Sequence, residues 1–459
     1  MRHVTVAVLL VCLTLSVNAQ VTFAPHLVQN STLIRHANAA DLNANGFCEI
    51  VSSDWITHDV LIWSRTAPDA WTSTTLDPSF TSAQMTEILD LDQDGDLDIV
   101  GAASGASSGL RWWRNDGGGT YTTQQIDAQF PCIYIDMEDI DGDGDADLVA
   151  VRNDYTELVW YENDMPNGWT QHMVENTRNT EHAHLSDLDG DGDIDIAAFH
   201  QPETLAWHEQ VAGNSWVYHE ISATMLTTTL LIDDLDNDGD NDIVSHINYI
   251  SDMYVWEQTS PGEFQSHLIF GGSGYIDDYD SADIDGDSYP DIVLSLNAAN
   301  RISYLSYNSI DEYTEHVVVE NYSQPHGIQV TDIDGDTDPD ILSWVPNNLS
   351  ISWFEHDGYS SVGETSVAAQ PSEFSMQPAY PNPFNGMTTV VLNLAHPASV
   401  TVEVINSLGQ HVAMLHQGKT AGGRLALPWQ AGMTSSGVYF IRAEIMDGPS
   451  MMQKICYVR

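Results

Sequence analysis

The sequence predicts an all-β protein: a seven-bladed β-propeller followed by a small immunoglobulin-like β-sandwich. Three observations predict this fold. An acidic nine-residue segment recurs seven times, at spacings of 47 to 49 residues. The residues between successive copies read as four short strands, which is the size of one propeller blade. The composition changes abruptly near residue 372, where a second domain is expected to begin.

The repeated segment follows the pattern D-x-D-x-D-G-x-x-D. Chance does not hold so long a pattern to so regular a period, and periods of roughly 40–50 residues indicate propeller blades or helical arrays. The seven copies begin at Asp41, Asp90, Asp139, Asp187, Asp234, Asp283 and Asp332.

The segments between the copies favour blades over helices. Each copy runs into a β-branched segment such as DIVGAA, and an aromatic strand follows it. A further strand such as WTQHMV comes next, and a short run such as GIQVTD precedes the next copy. These segments alternate in polarity without a helical period, so each repeat predicts four strands. The aromatic strands carry Trp63, Trp113, Trp160, Trp207, Trp256, Tyr304 and Trp353.

The two ends of the predicted propeller complement each other. The last repeat has three strands, and its chain leaves near His356 without the fourth. The segment FAPHLV, residues 23–28, has the missing pattern, with His26 where other copies have histidine. We therefore expect the N-terminal strand to complete the last blade and to cover its open edge.

The repeated segment has the ligand spacing of a calcium loop. Positions one, three and five direct side-chain oxygens to one point, position seven offers its backbone carbonyl, and position nine closes the cage. Ligands that are all oxygens suit a hard cation, and calcium tolerates flexible coordination better than magnesium does. Glycine at position six permits the sharp turn. The alternative is a solvated acidic turn without metal.

The predicted ligands are the side chains at positions one, three, five and nine. The four clearest copies offer Asp90, Asp92, Asp94 and Asp98; Asp139, Asp141, Asp143 and Asp147; Asp187, Asp189, Asp191 and Asp195; and Asp234, Asp236, Asp238 and Asp242. The two later copies have Ser288 and Thr337 at position six, and offer Asp283, Asp285, Asp287 and Asp291, then Asp332, Asp334, Asp336 and Asp340. The first copy offers Asp41, Asn43, Asn45 and Glu49.

These sets predict six Ca²⁺ sites and a weaker seventh, because the first copy has only two formal charges. The net charge supports bound cations. The chain has a formal charge of −54, and residues 21–371 carry 63 acidic and seven basic side chains. Such an excess repels itself in a compact fold unless cations neutralise it. A hydrophobic content of 42% and 13 tryptophans argue against disorder. The same charge excludes nucleic acid and anionic membrane surfaces as partners.

The N-terminus predicts export. Arg2 and His3 precede an apolar run, Val4–Val17, and small residues precede Gln20, so residues 1–19 read as a signal peptide. The alternative is a membrane anchor, for which the run is short. No transmembrane segment is expected after signal cleavage. Cys48, Cys132 and Cys456 are too few for a disulfide framework.

Residues 21–356 resemble the FG-GAP and VCBS-type repeat family, whose calcium loops join the first and second strands of propeller blades. Propellers of this family occur in adhesion receptors, in secreted lectin-like proteins and in some polysaccharide lyases. The resemblance implies the fold and calcium binding, and it leaves the function open.

The C-terminal part predicts a sorting domain. Residues 357–377 read as a linker, and residues 378–459 show alternating strands separated by turn residues. The segments YPNPFN from Tyr380, SLGQ from Ser407 and SGVYF from Ser436, with Lys454, resemble the C-terminal sorting domain of type IX secretion cargo. The resemblance implies that the secretion machinery is a partner and that the protein reaches the surface of a Gram-negative bacterium. The alternative is a purely structural module.

Three functions are compatible with these features. The first is a non-catalytic binding or adhesion module for extracellular glycan or protein, the second is an extracellular calcium-dependent polysaccharide lyase or hydrolase, and the third is a structural component of a surface layer. The recurrent tryptophans could stack on sugars, but side chains present in every blade are expected in the core, and so are the histidines in one register: His26, His172, His219, His267 and His316. Function is expected where the repeats differ, for which the candidates are His182, His184, His326, Arg111, Arg152 and Arg301.

Overall fold

A computed structural model describes most of the chain as β-strands joined by turns. The described residues are 20–29, 34–54, 57–67, 70–105, 108–165, 167–211, 215–223, 229–247, 252–271, 275–346, 350–360, 374–380, 387–394, 398–406, 410–420, 423–431, 437–445 and 450–457. Among these residues there is no helix of the length and apolarity that a membrane crossing requires. The predicted signal peptide, residues 1–19, lies outside the described residues.

The chain divides into two compact units, Met1–Val362 and Gly363–Arg459. In the first unit, 28 strands form seven antiparallel four-stranded sheets, which we call blades 1 to 7. Blades 1 to 3 contain β2 (Ile34–Ala40), β3 (Glu49–Asp54), β4 (Val60–Ala67) and β5 (Ala70–Asp77); β6 (Ala83–Leu89), β7 (Asp98–Ala103), β8 (Gly109–Asn115) and β9 (Tyr121–Asp127); and β10 (Cys132–Glu138), β11 (Asp147–Arg152), β12 (Leu158–Asp164) and β13 (Gly168–Glu175).

Blades 4 to 6 repeat this order. They contain β14 (Asn179–Ser186), β15 (Asp195–Gln201), β16 (Thr204–Val211) and β17 (Ser215–Ser222); β18 (Leu231–Asp233), β19 (Asp242–Ile247), β20 (Asp252–Ser260) and β21 (Glu263–Phe270); and β22 (Ile276–Ala282), β23 (Asp291–Leu296), β24 (Arg301–Ser309) and β25 (Glu312–Glu320). The prediction of four strands in each repeat is confirmed.

Blade 7 draws its fourth strand from the start of the chain. It contains β26 (Gly327–Thr331), β27 (Asp340–Val345) and β28 (Ser350–Ser360), and β1 (Gln20–Gln29) pairs antiparallel with β28. His26 lies opposite Trp353, the same pairing that His172 makes with Trp160 in blade 3. The predicted role of the N-terminal strand is thus observed as strand pairing.

The core of the first unit lies between neighbouring blades. The second strand of a blade is buried along its length, as in β7, because both of its faces pack on other blades. The residues of such strands are therefore apolar and β-branched without alternation. Trp112 of blade 2, for example, belongs to one buried cluster with Ile135 and Leu148 of blade 3. All seven residues of the aromatic strands that the sequence singled out are buried, as predicted for core positions.

In four blades, a side chain three residues before the acidic loop links the innermost strand to that of the next blade; these side chains belong to Asn38, Asp136, Asp280 and Gln329. Asn38 donates from Nδ2 to the Thr86 carbonyl at 2.6 Å, and Asp136 Oδ2 accepts from the Leu185 amide at 2.9 Å. Blade 7 makes the same link to blade 1, since Gln329 Oε1 accepts from the Ala39 amide at 2.6 Å. The polar side chains on the innermost strands therefore hold blades together.

The second unit has two sheets. One contains β29 (Phe374–Tyr380), β30 (Met387–Leu394) and β33 (Gly423–Gln430); the other contains β31 (Ala398–Asn406), β32 (His411–Thr420), β34 (Gly437–Ile445) and β35 (Ser450–Tyr457). Both contribute to one buried cluster that includes Val390, Val402, Trp429 and Ile441, which is a β-sandwich. Strands β28 and β29 extend into the predicted linker, residues 357–377, of which residues 361–373 lie outside the described part.

Candidate metal centres

The seven acidic loops occupy equivalent places in the seven blades. Each loop begins after the innermost strand and ends where the second strand starts. Positions four and six of every loop have a positive φ, which is 72° and 96° at Gly190 and Gly192. Ser288 and Thr337 adopt φ values of 79° and 81° at position six, so the loop geometry persists without glycine. This conformation makes the loop a tight turn that curves around one central point.

The aspartate at position one holds the turn. In blade 4, Asp187 accepts from the Gly190 amide at 2.8 Å through Oδ1 and from the Gly192 amide at 3.1 Å through Oδ2. The first aspartate of each other loop accepts amide hydrogen bonds from its own loop in a similar way. These bonds fix the carboxylate against the backbone.

The aspartate at position nine ties the loop to the blade. Asp195 accepts from the Leu188 amide at 3.0 Å and from the Gln210 amide at 2.8 Å, and it is 1% exposed. The equivalent bonds recur at five buried aspartates: Asp98, Asp147, Asp242, Asp291 and Asp340. The second bond reaches the third strand of the same blade, so position nine has a structural role in addition to its predicted metal contact.

The predicted ligands converge in at least five loops. In each, three carboxylates offer oxygens that all lie within 4.8 Å of one another. The sets are Asp90, Asp92 and Asp94; Asp139, Asp141 and Asp147; Asp187, Asp189 and Asp195; Asp234, Asp236 and Asp238; and Asp283, Asp285 and Asp291. Three of these sets include position nine and two include position five instead.

Buried oxygens without a partner indicate that these loops fit a cation. Asp92 Oδ1 and Asp334 Oδ1, both at position three, are buried and have no hydrogen-bond partner within the described part of the chain. Asp145 Oδ1 and Asp240 Oδ1, at position seven, are in the same situation. A buried carboxylate oxygen without a partner is costly, and a hard cation with oxygen ligands relieves that cost.

The carboxylates of each loop are also buried close together, so their negative charges repel one another. Burial raises the pKa of Asp195 to about 7, even though backbone amides favour its charged form. The position-nine carboxyls of blades 3, 5, 6 and 7 have pKa values raised to about 7 for the same first cause. At position three, burial and then the neighbouring Asp191 raise the pKa of Asp189. A divalent cation would favour the ionised form of all of them.

The first loop differs from the other six. Asn43 donates from Nδ2 to Glu49 Oε1 at 2.6 Å, so one ligand oxygen is engaged by an amide. Glu49 Oε2 is buried and lacks a hydrogen-bond partner in the described residues. With Asp41 as the second carboxylate, this loop offers less charge than the others, which agrees with the weaker site that the sequence predicts.

Comparisons with known families agree with these features. The FG-GAP-like repeat family matches residues 90–150, 139–198 and 234–294, and the secretion system C-terminal sorting domain family matches residues 378–457. The chain carries FG-GAP-like repeats and a C-terminal sorting domain. The sorting domain indicates that the protein is secreted or displayed on the cell surface, as the sequence predicted. No curated protein matches the sequence significantly.

Solved structures resemble this protein in fold. A streptogramin B lyase aligns with a TM-score of 0.51 at 10% identity, over 73% of this chain and 98% of that one. Raptor from Chaetomium thermophilum aligns with a TM-score of 0.50 at 9% identity, over 74% of this chain and 29% of Raptor. At such identities the likeness concerns the propeller-like fold alone.

Of the residues that were candidates for a catalytic set, the three arginines are dispersed. Arg111 pairs with Asp77 at 2.5 Å, Arg152 with Glu157 at 2.9 Å, and Arg301 with Glu315 at 2.5 Å, each in a different part of the propeller. His182 and His184 lie beside Tyr134 of blade 3, with ring centroids 4.8 and 5.2 Å apart. His326 belongs to the approach to blade 7. The structure brings the two histidines of blade 4 together and leaves the arginines apart.

The histidines in one register have a shared structural role. His172 stacks on Trp160 with ring centroids 4.4 Å apart, and its Nε2 lies 2.7 Å from Glu162 Oε2. His219 and His26 stack on tryptophan and contact glutamate in the same way. His316 stacks on Tyr304 beside Ser306, while His267 contacts Glu257. His26, His172, His219 and His316 therefore cover an aromatic residue of the third strand from the outermost strand and are only partly buried, so the expected core position holds for His267 alone.

Two polar residues that sequence reasoning missed lie in blade 4. His200 and His208 are 1% and 2% exposed, and their Nε2 atoms are 3.1 Å apart. A comparison of the aromatic strands could have found His208, because LAWHEQ has histidine where LVWYEN and LRWWRN have an aromatic residue. His200 gave no comparable signal.

Proposed function

We propose that this protein is a surface-displayed, calcium-stabilised propeller that binds extracellular glycan or protein without catalysis. Its acidic loops would hold Ca²⁺ through positions one, three, five and nine, at six strong sites and a weaker one in the first loop. The observation that carries calcium binding is the repeated convergence of carboxylate oxygens, some of them buried without a partner. The positive charge of calcium would neutralise the clustered negative charge of these carboxylates.

The scaffold role of calcium follows from where the loops lie. Each loop connects the innermost strand of a blade to its second strand, and position nine reaches the third strand. A cation at the loop would therefore fix three strands of a blade relative to one another. In this proposal, calcium stabilises the binding module.

The binding role is supported by the pairing of the arginine candidates and by the sorting domain. Among the described residues, the arginine candidates are each neutralised by a neighbouring carboxylate. The sorting domain places the protein outside the cell, where a rigid repeat scaffold suits recognition. Its remaining partner is the secretion machinery that reads this domain.

One observation favours the enzyme alternative, a calcium-dependent polysaccharide lyase or hydrolase. The Tyr134 hydroxyl lies 2.6 Å from His184 Nε2, and His184 Nδ1 lies 3.6 Å from Asp136 Oδ2. A tyrosine next to a histidine and a carboxylate could transfer a proton. However, the Asp136 carboxylate also accepts from the Leu185 amide, which gives it the structural role described above.

The two functions are separated by testing binding and turnover together. We expect the calcium-loaded full chain to bind a glycan on an array or a protein in a pull-down, with no polysaccharide cleavage. Measurable cleavage that disappears in His184→Ala but persists in the control His172→Ala would establish the enzyme instead. Absence of both a ligand and turnover, with ordered assembly in calcium, would identify a surface-layer component.

A further inference from the structure

Blade 4 differs from the other blades at one position of its third strand, opposite the residue that follows its acidic loop. The residue after position nine pairs across the sheet with one large side chain of the third strand. In six blades that side chain is Trp63, Trp113, Tyr161, Trp256, Leu305 or Phe354, and in blade 4 it is His208. Blade 4 thus has an imidazole ring where the other blades have the side chain of tryptophan, tyrosine, phenylalanine or leucine.

A second histidine extends this polar core to the end of the blade. His200 is hydrogen-bonded to His208, and its Nδ1 lies 3.0 Å from Thr180 Oγ1. Burial lowers the pKa of His200 to about 3 and that of His208 to about 4, so both rings are neutral near pH 7. Buried polar groups are a cost that an apolar side chain would avoid, and such departures from a repeated pattern are expected at functional positions.

A cavity of about 350 Å³ opens above His200. Besides His200, its lining includes Arg178, Asn179, Gln201, Tyr218 and Glu220, with two threonines. These residues come from the connection between blades 3 and 4, from the β15–β16 turn and from the outermost strand. The volume lies near the lower end of ligand sites, which span roughly 300–1,000 Å³, so it suits a small ligand or one unit of a larger one.

Arg178 is held in place on one side of the cavity. Its guanidinium carbon lies 3.6 Å from the centroid of the Tyr218 ring, and it pairs with Glu175. Burial raises the pKa of Glu175, but hydrogen bonds from Thr177 and Arg178 outweigh it and lower that pKa to about 2. Glu175 is therefore ionised and matches the charge of Arg178. The remaining donors of the guanidinium are fixed near the cavity by this pairing.

The charge of the cavity selects against anions. Arg178 is matched by Glu175, Glu220 adds a negative charge, and the whole chain has a formal charge of −54. The other lining groups are uncharged: the amides of Asn179 and Gln201, the Tyr218 hydroxyl, two threonine hydroxyls and a neutral histidine. The Gln201 amide nitrogen already donates one hydrogen bond to Glu181, which leaves its second N–H and its oxygen for a ligand. Such a set matches a ligand that carries several hydroxyl groups and no charge.

We propose that this cavity binds one ring of a neutral carbohydrate, through hydrogen bonds from the Arg178, Asn179 and Gln201 side chains and to Glu220. This inference rests on the proposed binding function and assigns it to one place in blade 4. It also explains why blade 4 keeps a polar core, since His200 forms the floor of the cavity and His208 supports it. The tryptophans of the aromatic strands, which are buried, take no part.

The test is a glycan array with the calcium-loaded full chain, followed by calorimetry with the neutral glycan that binds best. We expect Arg178→Gln and Gln201→Ala to weaken binding at least tenfold, because each removes a hydrogen bond from a partly desolvated site. The control is Arg301→Gln, which breaks a different arginine–glutamate pair, between the third and fourth strands of blade 6. It should change affinity less than twofold.

A second variant keeps the test valid if Arg178→Gln folds poorly. His208→Tyr introduces the side chain that blade 3 has at this position, and we expect it to keep the thermal stability of the protein while weakening glycan binding. Unchanged affinity in Arg178→Gln and His208→Tyr would overturn the cavity assignment while leaving the binding function intact. Stoichiometric Zn²⁺ uptake that His200→Ala abolishes, without glycan binding, would show a metal site instead. Absence of any glycan or protein ligand would overturn the binding function itself.

Discussion

The two ends of strand β15 differ in whether their polar side chains recur in the other blades. At its start, Asp195 accepts two backbone amides and belongs to a carboxylate cluster that recurs in other blades. Near its end, His200 forms a buried pair with His208 that no other blade has at this position. The first end repeats with the fold and serves the scaffold, whereas the second occurs once. In a repeat protein, the positions that depart from the repeat are therefore those to examine for specificity.

The largest effect is expected at the repeated end. Asp195→Ala removes the acceptor of two buried amides and one predicted ligand, so we expect the free energy of unfolding to fall by about 3–5 kcal/mol. It should also remove one calcium per chain, as counted by elemental analysis. The control is Asp193→Ala in the same loop, which removes the same charge from an exposed side chain and should cost less than about 0.5 kcal/mol. Equal losses in both variants would contradict the role of position nine.

A second comparison concerns one loop position in two blades. Gly335 and Gly190 both lie at position four with φ values of 79° and 72°. A Cβ atom on Gly335 would lie 2.0 Å from the Gly46 carbonyl of blade 1, while a Cβ atom on Gly190 would meet nothing within 4 Å. We expect Gly190→Ala to cost about 1 kcal/mol of unfolding free energy and Gly335→Ala about 2–4 kcal/mol. Equal costs in chemical denaturation would argue against close contact between blades 7 and 1.

The unique end of β15 should respond to pH. The folded-state pKa values of His200 and His208 are lowered to about 3 and about 4 from 6.5. The unfolded chain therefore binds protons that the folded chain excludes, so the stabilisation present above pH 6.5 is lost as the pH falls toward 4. When the pH is lowered from 6.5 to 4, we expect the unfolding free energy of the natural protein to fall by about 1–3 kcal/mol more than that of His208→Tyr.

This measurement uses saturating calcium in both proteins, because the loop aspartates titrate in the same range. The control is His172→Gln, since His172 lies on the outermost strand and is partly exposed. The difference in unfolding free energy between the natural protein and His208→Tyr could instead stay constant from pH 6.5 to 4. That result would mean that His200 and His208 are not buried as neutral rings.

The smallest effect concerns position six of the two later loops. Thr337 and Ser288 have φ values of 81° and 79°, and the other five loops have glycine at this position. Glycine adopts a positive φ without the strain that a side chain causes. We expect Thr337→Gly and Ser288→Gly each to raise the unfolding free energy by about 0.5–1 kcal/mol, with a larger gain at the β-branched Thr337. The matched change Gly192→Ala should lower it by a similar amount. Destabilisation by Thr337→Gly would show that its side chain compensates for the strain.

The sequence was most informative where it repeats. The spacing of the acidic loops predicted the number of blades, and the unmatched FAPHLV segment predicted the pairing of β1 with β28. These succeed because a repeated pattern reports the same local structure seven times. Links between blades could not be predicted, since Gln329 contacts Ala39 only after folding brings residues that are distant in the sequence together.

Single departures from the repeat were harder to interpret. Arg111 was a candidate for function because it is not repeated, but it pairs with Asp77 and lies over Phe80 in the structure. His200 was overlooked because nothing in its local sequence shows that its ring meets His208. Whether an unrepeated polar residue is structural or functional depends on the neighbours that the fold supplies, and one sequence does not contain that information.

The account depends most on cations that hold the carboxylates of the acidic loops. The direct measurement is elemental analysis of the purified protein together with its thermal unfolding in calcium and in chelator at low salt. We predict about six calcium ions per chain and a fall in the melting temperature of more than about 15 °C on chelation, because each saturated site stabilises the fold by about 2.7 kcal/mol at a hundredfold excess over its dissociation constant. A protein that contains no metal and melts at the same temperature in chelator would contradict the account.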